Sequence, residues 1–393
     1  MMFAKPITSL VSRSALIVSL VICCDYSFAK CATLQDIVSQ AEARNSKLLR
    51  LKANLWLKLH DPAFFSGNVF TRQGHAGAAY DSKRGTILIF GSDTHGQNWD
   101  NQVHEFDPVQ EKWTTHYPLA GKETYRADAK GRAIAGKDRL LPWAMHTYDT
   151  VTYDPLLDAL IVSATPDHNP MMGAVSGVKI HPTWIYLIAS RQWRIFENNG
   201  KPYPNLFAAA TVYDPVRQAI IGYHGGGVWE VGPERDEWKL ADRVSHHGIH
   251  HNMEYDSINK KFAVFGEYRN MNDIWLYTPG VSPGLAGSWE KRIPKGDIPP
   301  KSQSFPVAFD DARGIFLMVV DNPQSSTNQP TKARSSSTFT YDPKTNTSSR
   351  LPLGDMPHLG MNYMMVFDKK HSVFLLVTGD WQTPTTVWAL RLP

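Results

Sequence analysis

Histidine and tyrosine are the residues of this chain best suited to chemistry, and their positions are uneven. The sequence carries 15 histidines. Among them His75, His95, His146, His168, His224 and His250 fall close to turns, with Tyr148 two residues after His146 and Tyr268-Arg269 in a further turn. Imidazole changes charge near neutral pH, so several imidazoles and a guanidinium on one cleft suit proton transfer or the binding of an anion. His246-His247 and His250-His251 form a second group. His247 and His251 have metal-ligand spacing for a helix, but their segment runs into a strand, where the two share one face and His250 takes the other. A divalent metal there would need a ligand from a neighbouring segment, such as His224 or Glu267. The competing reading is a hydrogen-bonded cluster; no cofactor is otherwise required.

The elements that must position these residues repeat. An aromatic-Asp pair occurs six times: Tyr80-Asp81, Tyr153-Asp154, Tyr213-Asp214, Tyr255-Asp256, Phe309-Asp310 and Phe367-Asp368. Each closes one short apolar run and, after a polar turn of nearly constant length, is followed by another: TILIFG, ALIVSA, QAIIGYH, KFAVFG, IFLMVV and VFLLVT. Constant spacing of this kind predicts a tight hairpin of fixed register. Third runs follow, and fourth runs begin near Trp113, Trp193, Trp238 and Trp289, with a weaker version at Ser348 to Leu353. The sixth copy ends after three runs. Its missing fourth is the orphan Leu55 to Leu59 run, whose Trp56 matches the other tryptophans.

Four antiparallel strands repeated six times predict an all-β fold, a six-bladed β-propeller closed by an N-terminal strand that removes the open sheet edges. The chain resembles the kelch-type β-propellers of the galactose-oxidase/kelch-like superfamily from about Asn54 to Pro393. The resemblance rests on the second-strand glycines Gly91, Gly266 and Gly379, the aromatic-Asp pairs, the fourth-strand tryptophans and Gly225-Gly226-Gly227. The expected organisation is a signal peptide over 1–29, a short helical segment over 30–53 with apolar residues at helical spacing, and the propeller over 54–393. Insertions at 119–141, 169–181 and 322–336 interrupt the repeat.

In such a propeller the start of each first strand and the end of each second strand share one rim of the central channel. Five residues before the six pairs stand His75, Tyr148, Ala208, His250, Ser304 and Asn362. The second-strand ends bring Asp93 and His95, Asp167 and His168, Tyr223 and His224, Glu267 with Tyr268 and Arg269, Asp321, and Asp380 with Trp381. Trp99, Trp143, His168, His224, His250, Tyr268, Asn362 and Trp381 are the expected substrate contacts.

The charged fraction of 20%, the hydrophobic fraction of 42% and a net charge of +4 describe a globular chain without the basic runs of a nucleic-acid binder. Lys5 and Arg13, the apolar run Ala15 to Cys24 and the small residues before Lys30 read as a secretory signal cleaved after Ala29, and the run is too short to span a bilayer. Cleavage leaves Cys31 alone, outside the propeller. That excludes an internal disulfide, and with it the cysteine-tyrosine cross-link of copper-radical oxidases. Six-bladed sialidases carry Ser-x-Asp-x-Gly-x-Thr-Trp turns and an arginine triad that this chain lacks.

The rim is similar to that of ulvan lyases and related secreted propeller lyases, through His75 and His95 on one blade with Tyr148, Tyr268 and Arg269 as partners. The resemblance implies β-elimination on a uronic-acid polysaccharide by a secreted or periplasmic enzyme. His75 and His95 would be the acid-base or carboxylate-orienting pair, Tyr148 or His146 the alternative base, and Arg269 the charge neutraliser. A non-catalytic scaffold that binds a glycan or a protein partner through the same rim is the alternative, and a hydrolase or isomerase with a rim-bound metal is a third reading.

Overall fold

The aspartate of each aromatic-Asp pair explains the repeat. In the computed structural model, which describes residues 46–59, 75–166, 169–266, 272–302, 304–323, 335–380 and 383–393, all six carboxylates are buried. Each turns back on its own hairpin and accepts the backbone N–H groups two and three residues on, as Asp310 does from Ala312 and Arg313 at 2.9 and 3.1 Å and Asp256 from Ile258 and Asn259 at 3.0 and 2.9 Å. The position four residues on takes a left-handed φ in every copy: Gly85, Asp158, Gln218, Lys260, Gly314 and Ser372. The aspartate then pairs with the residue five on, Asp81 with Thr86 and Asp368 with Val373. The fixed register expected from the spacing is therefore an Asx turn repeated six times.

A buried carboxylate needs its charge matched as well as its hydrogen bonds. Arg84, Arg217 and Arg313 reach Asp81, Asp214 and Asp310 from three residues on, and His371 does so for Asp368. In the second copy that position is Leu157, and Arg235 of the third blade supplies the guanidinium to Asp154 at 2.6 Å.

Six four-stranded antiparallel blades result. Their inner strands are Gly77–Asp81, Val151–Asp154, Ala210–Asp214, Asn252–Asp256, Val307–Asp310 and Met365–Asp368. Each inner strand packs beside the next, and the sixth packs beside the first. Second strands such as Thr86–Phe90 are buried on every side chain because both faces meet another blade, whereas outer strands such as Gln192–Ile195 alternate. Six apolar cores lie between successive blades, including one between blades six and one.

Closure follows the sequence expectation. Trp56–Leu59 pairs antiparallel with Thr383–Leu390, Trp56 opposite Leu390, as the fourth strand of blade six. The Trp56 indole N–H donates to Thr338 Oγ1 of blade five at 2.9 Å. Trp56→Ala is therefore expected to cost about 3–5 kcal/mol in urea unfolding, from lost burial and an orphaned threonine in the seam.

Of the helix expected over 30–53, only 46–53 fall within the described residues, and they form a turn with Leu51 N–H bonded to Leu48 O. Leu48 and Leu51 are drawn into the core between blades six and one. The insertions at 119–141 and 169–181 fold on each other: a hairpin of Arg126–Ala127 and Ala133–Ile134 bridges to Ile180, with Ala133 N–H bonded to Ile180 O at 2.8 Å.

Candidate active site at the channel mouth

One hydroxyl fastens three segments at the mouth. Thr147 Oγ1 accepts the N–H of Gly77 at 2.8 Å and donates to Phe90 O at 2.7 Å. The N–H groups of Thr147 and Tyr148 both bond to His75 O, and Ser92 N–H bonds to Met145 O. The start of blade one, the end of its second strand and the start of blade two are thus held together, which carries His75, Asp93, His95, His146 and Tyr148 into one place. Tyr148, Ala208 and His250 have left-handed φ of 49°, 46° and 64°. Side chains pay for that conformation, and here the two aromatic ones turn into the mouth.

The His75 and His146 rings stack at 4.0 Å and 21°. His95, exposed, stands edge-on at 4.6 Å from His146 and 5.8 Å from His75. Asp93 lies at the edge of the stacked pair, its Oδ1 3.5 Å from His75 Nδ1 and 3.7 Å from His146 Nε2. His146 Nδ1 is 3.0 Å from Tyr148 Oη, while its Nε2 accepts the Thr94 N–H at 3.2 Å. Nδ1 therefore carries the proton and gives it to Tyr148 Oη.

Burial, then the neighbouring His146, lowers the pKa of His75 to about 3, against the pull of Asp93. Burial works the other way on Asp93, but His146 and His75 outweigh it and hold its carboxyl below the usual range.

Tyr148 stoppers the channel axis. Its ring meets Phe207 at 5.5 Å, His250 at 5.1 Å and Tyr363 at 5.6 Å, and His250 Nδ1 is 2.9 Å from Tyr363 Oη. Below it a cavity of about 380 Å³ runs along the inner strands, lined by Asp149, Glu254, Met253 and Lys369. Burial raises the Glu254 pKa to about 8, opposed by Lys369 and assisted by Asp311. Burial and then the charge of Glu254 raise Asp149, opposed by the Met253 N–H that it accepts at 2.9 Å.

A carboxyl raised on folding binds its proton more tightly in the native state. Its contribution is full below the unfolded value near 4.3 and declines as pH rises toward about 8. Glu254→Gln is expected to leave the melting temperature little changed at pH 5 and to raise it above wild type at pH 8. Equal shifts at both pH values would refute the raised carboxyl.

Of the residues expected at the rim, the structure brings together His75, His95, His146, Tyr148 and His250. Trp99 is half-buried four residues after His95, with Lys122 Nζ 4.8 Å from its ring centroid. His224 is half-buried in blade three and accepts the Gly226 N–H. Two expected substrate contacts are structural instead. Trp143 is 1% exposed, stacked on Tyr125 at 4.6 Å and bonded through its indole to Ile134 O. Asn362 is 1% exposed, and its amide is spent on Val377 O and the Met364 N–H.

His247 and His251 both close on Tyr223: His247 Nδ1 lies 3.0 Å from its Oη, and His251 Nε2 donates to its carbonyl at 3.1 Å. Burial lowers His251 to about 3. Arg269, Tyr268, His168 and Trp381 lie outside the described residues. Asp93 stood on the expected rim without a role, and Tyr363 and Phe207 were missed; each adjoins a rim position in sequence.

No family model matches the chain, and no curated protein is matched. Among solved structures, a fungal alcohol oxidase described as having catalytic diversity among the AA5 family, in complex with copper, aligns at a TM-score of 0.48 and 11% identity, over 81% of this chain. The alignment spans 62% of that structure's length, less than two thirds of it.

Proposed function

We propose that the channel mouth is the active site of a carbohydrate-active enzyme that cleaves a uronic-acid polysaccharide by β-elimination. The observation that carries this reading is the convergence of His75, His95 and His146, with ring centroids 4.0 to 5.8 Å apart, at the open side of a channel that Tyr148 closes from within. A polymer can lie across such a mouth. His95 is the exposed member and the proton acceptor: it takes the proton beside the uronate carboxylate, the C4–O bond breaks and a C4–C5 double bond forms. His250, oriented by Tyr363 on the other side of Tyr148, returns a proton to the leaving oxygen. The His75 cluster orients the carboxylate, and Trp99 with Lys122 supports an acidic sugar ring next to it. Secretion or export to the periplasm belongs to the same reading, since the polymer is extracellular.

The test is ultraviolet absorbance of the unsaturated uronate, followed with purified protein across a panel of acidic polysaccharides. Product formation supports the reading. A flat trace across the panel, with glycan or protein binding at the same rim, would replace it with a non-catalytic scaffold.

A further inference from the structure

We propose that His75, Asp93 and His146 bind a divalent transition-metal ion at the channel mouth through Nδ1, Oδ1 and Nε2. The three donor atoms lie within 4.8 Å of one another, and the two distances to Asp93 Oδ1 are 3.5 and 3.7 Å. Ligands about 2.0–2.2 Å from a tetrahedral zinc-like ion stand roughly 3.3–3.6 Å apart, so a small contraction would bring the three donors onto one ion.

Two further observations point to a ligand. His75 Nδ1 is buried and has no hydrogen-bond partner, although it faces a carboxylate; at 3.5 Å the Asp93 contact is too long to be one. His146 already has the tautomer of a metal ligand: its Nδ1–H is given to Tyr148 Oη, which leaves the Nε2 lone pair on the side of Asp93. That nitrogen also meets the Thr94 N–H at 3.2 Å and the Thr94 hydroxyl at 3.1 Å, contacts that a metal bond would replace.

Two imidazoles and one carboxylate suit zinc, manganese or iron(II) better than calcium or magnesium. Only three positions are filled by these side chains. Among the described residues, His75, Asp93 and His146 form the group of three whose donor atoms converge in this way; the blade-four histidines do not form one.

The binding stands on the donor geometry, whereas the role of the ion rests on the elimination reading above. A divalent cation on Asp93 reverses the local sign and supplies the neutralisation that makes the neighbouring proton acidic.

The experiment is equilibrium dialysis of the full chain, stripped with chelator, against zinc and manganese, with cobalt(II) absorption as a second readout. One equivalent per chain is expected. Asp93→Asn and His146→Ala should each weaken binding at least about tenfold, while His358→Gln, a histidine paired with Asp321 on blade five, should not. Circular dichroism establishes that the variants are folded, and Asp93→Asn preserves the side-chain shape. Binding below one equivalent by folded wild type, or unchanged affinity in both variants, overturns the site. Full elimination activity in metal-free protein overturns the metal's role and leaves the lyase reading standing. Stoichiometric binding without any unsaturated product supports the site and removes that reading.

Discussion

Gly91→Ala is expected to lose about 4 kcal/mol or more of folding stability, and to lower turnover in whatever fraction remains folded. Gly91 has φ 120°, a conformation nearly closed to other residues. A Cβ there would stand 2.3 Å from Thr147 Oγ1, 3.0 Å from Ala76 Cα and 3.3 Å from Met145 O. None of these can move alone. Thr147 Oγ1 joins Gly77 N–H to Phe90 O, and the strand starts on both sides carry His75 and Tyr148. The new methyl group would thus push apart the pieces that bring the imidazoles together. Gly354, with no atom near its would-be Cβ, is the control: Gly354→Ala should stay within about 0.5 kcal/mol of wild type. Urea unfolding of both variants makes the comparison, and a wild-type midpoint for Gly91→Ala would refute the fastening role of Thr147.

His95→Ala is expected to reduce elimination by 10²–10⁴-fold with the fold intact, a span ordinary for removal of a positioned proton acceptor. His95 is exposed on a turn, and its ring touches its neighbours edge-on, so its loss opens no core cavity. The initial rate of unsaturated-uronate formation reads the effect, with the thermal melt as the check on folding. A severalfold loss through KM alone would make His95 a binding contact and move the proton acceptor elsewhere in the cluster. His250→Ala separates the two sides of Tyr148: loss of turnover there, with zinc binding retained, is the outcome that the division of roles requires.

The architecture was legible because a single physical device recurs. An aspartate that ties its own turn must keep its distance from the second strand, so spacing in the chain reported register in the fold, and the orphan run with Trp56 found the open edge. The rim was legible only as a set of positions. Whether a side chain there looks into the mouth depends on φ, and Tyr148 and His250 adopt the left-handed region without being glycine, which residue type does not announce. Asn362 holds the same position in its repeat and turns its amide inward to Val377 O instead. Trp143 looked like a sugar platform, but Tyr125, contributed by an insertion, covers its face. Asp93 acquires its role from His146, a residue of the next blade that no local pattern connects to it.

The seam between Trp56–Leu59 and Thr383–Leu390 also sets an order of events in the life of the chain. Blades one to five are each continuous in sequence, but the last blade joins the two far ends of the propeller. Its pairing has the longest loop to close, so it is the step most heavily penalised by chain entropy. Until the final strand is made, the strand at Trp56 has no partner and the first blade presents an uncovered face. The ring therefore becomes a single cooperative body only when that last pairing forms, and a chain interrupted before Thr383 keeps five blades and the first two strands of the sixth, with open edges on both sides.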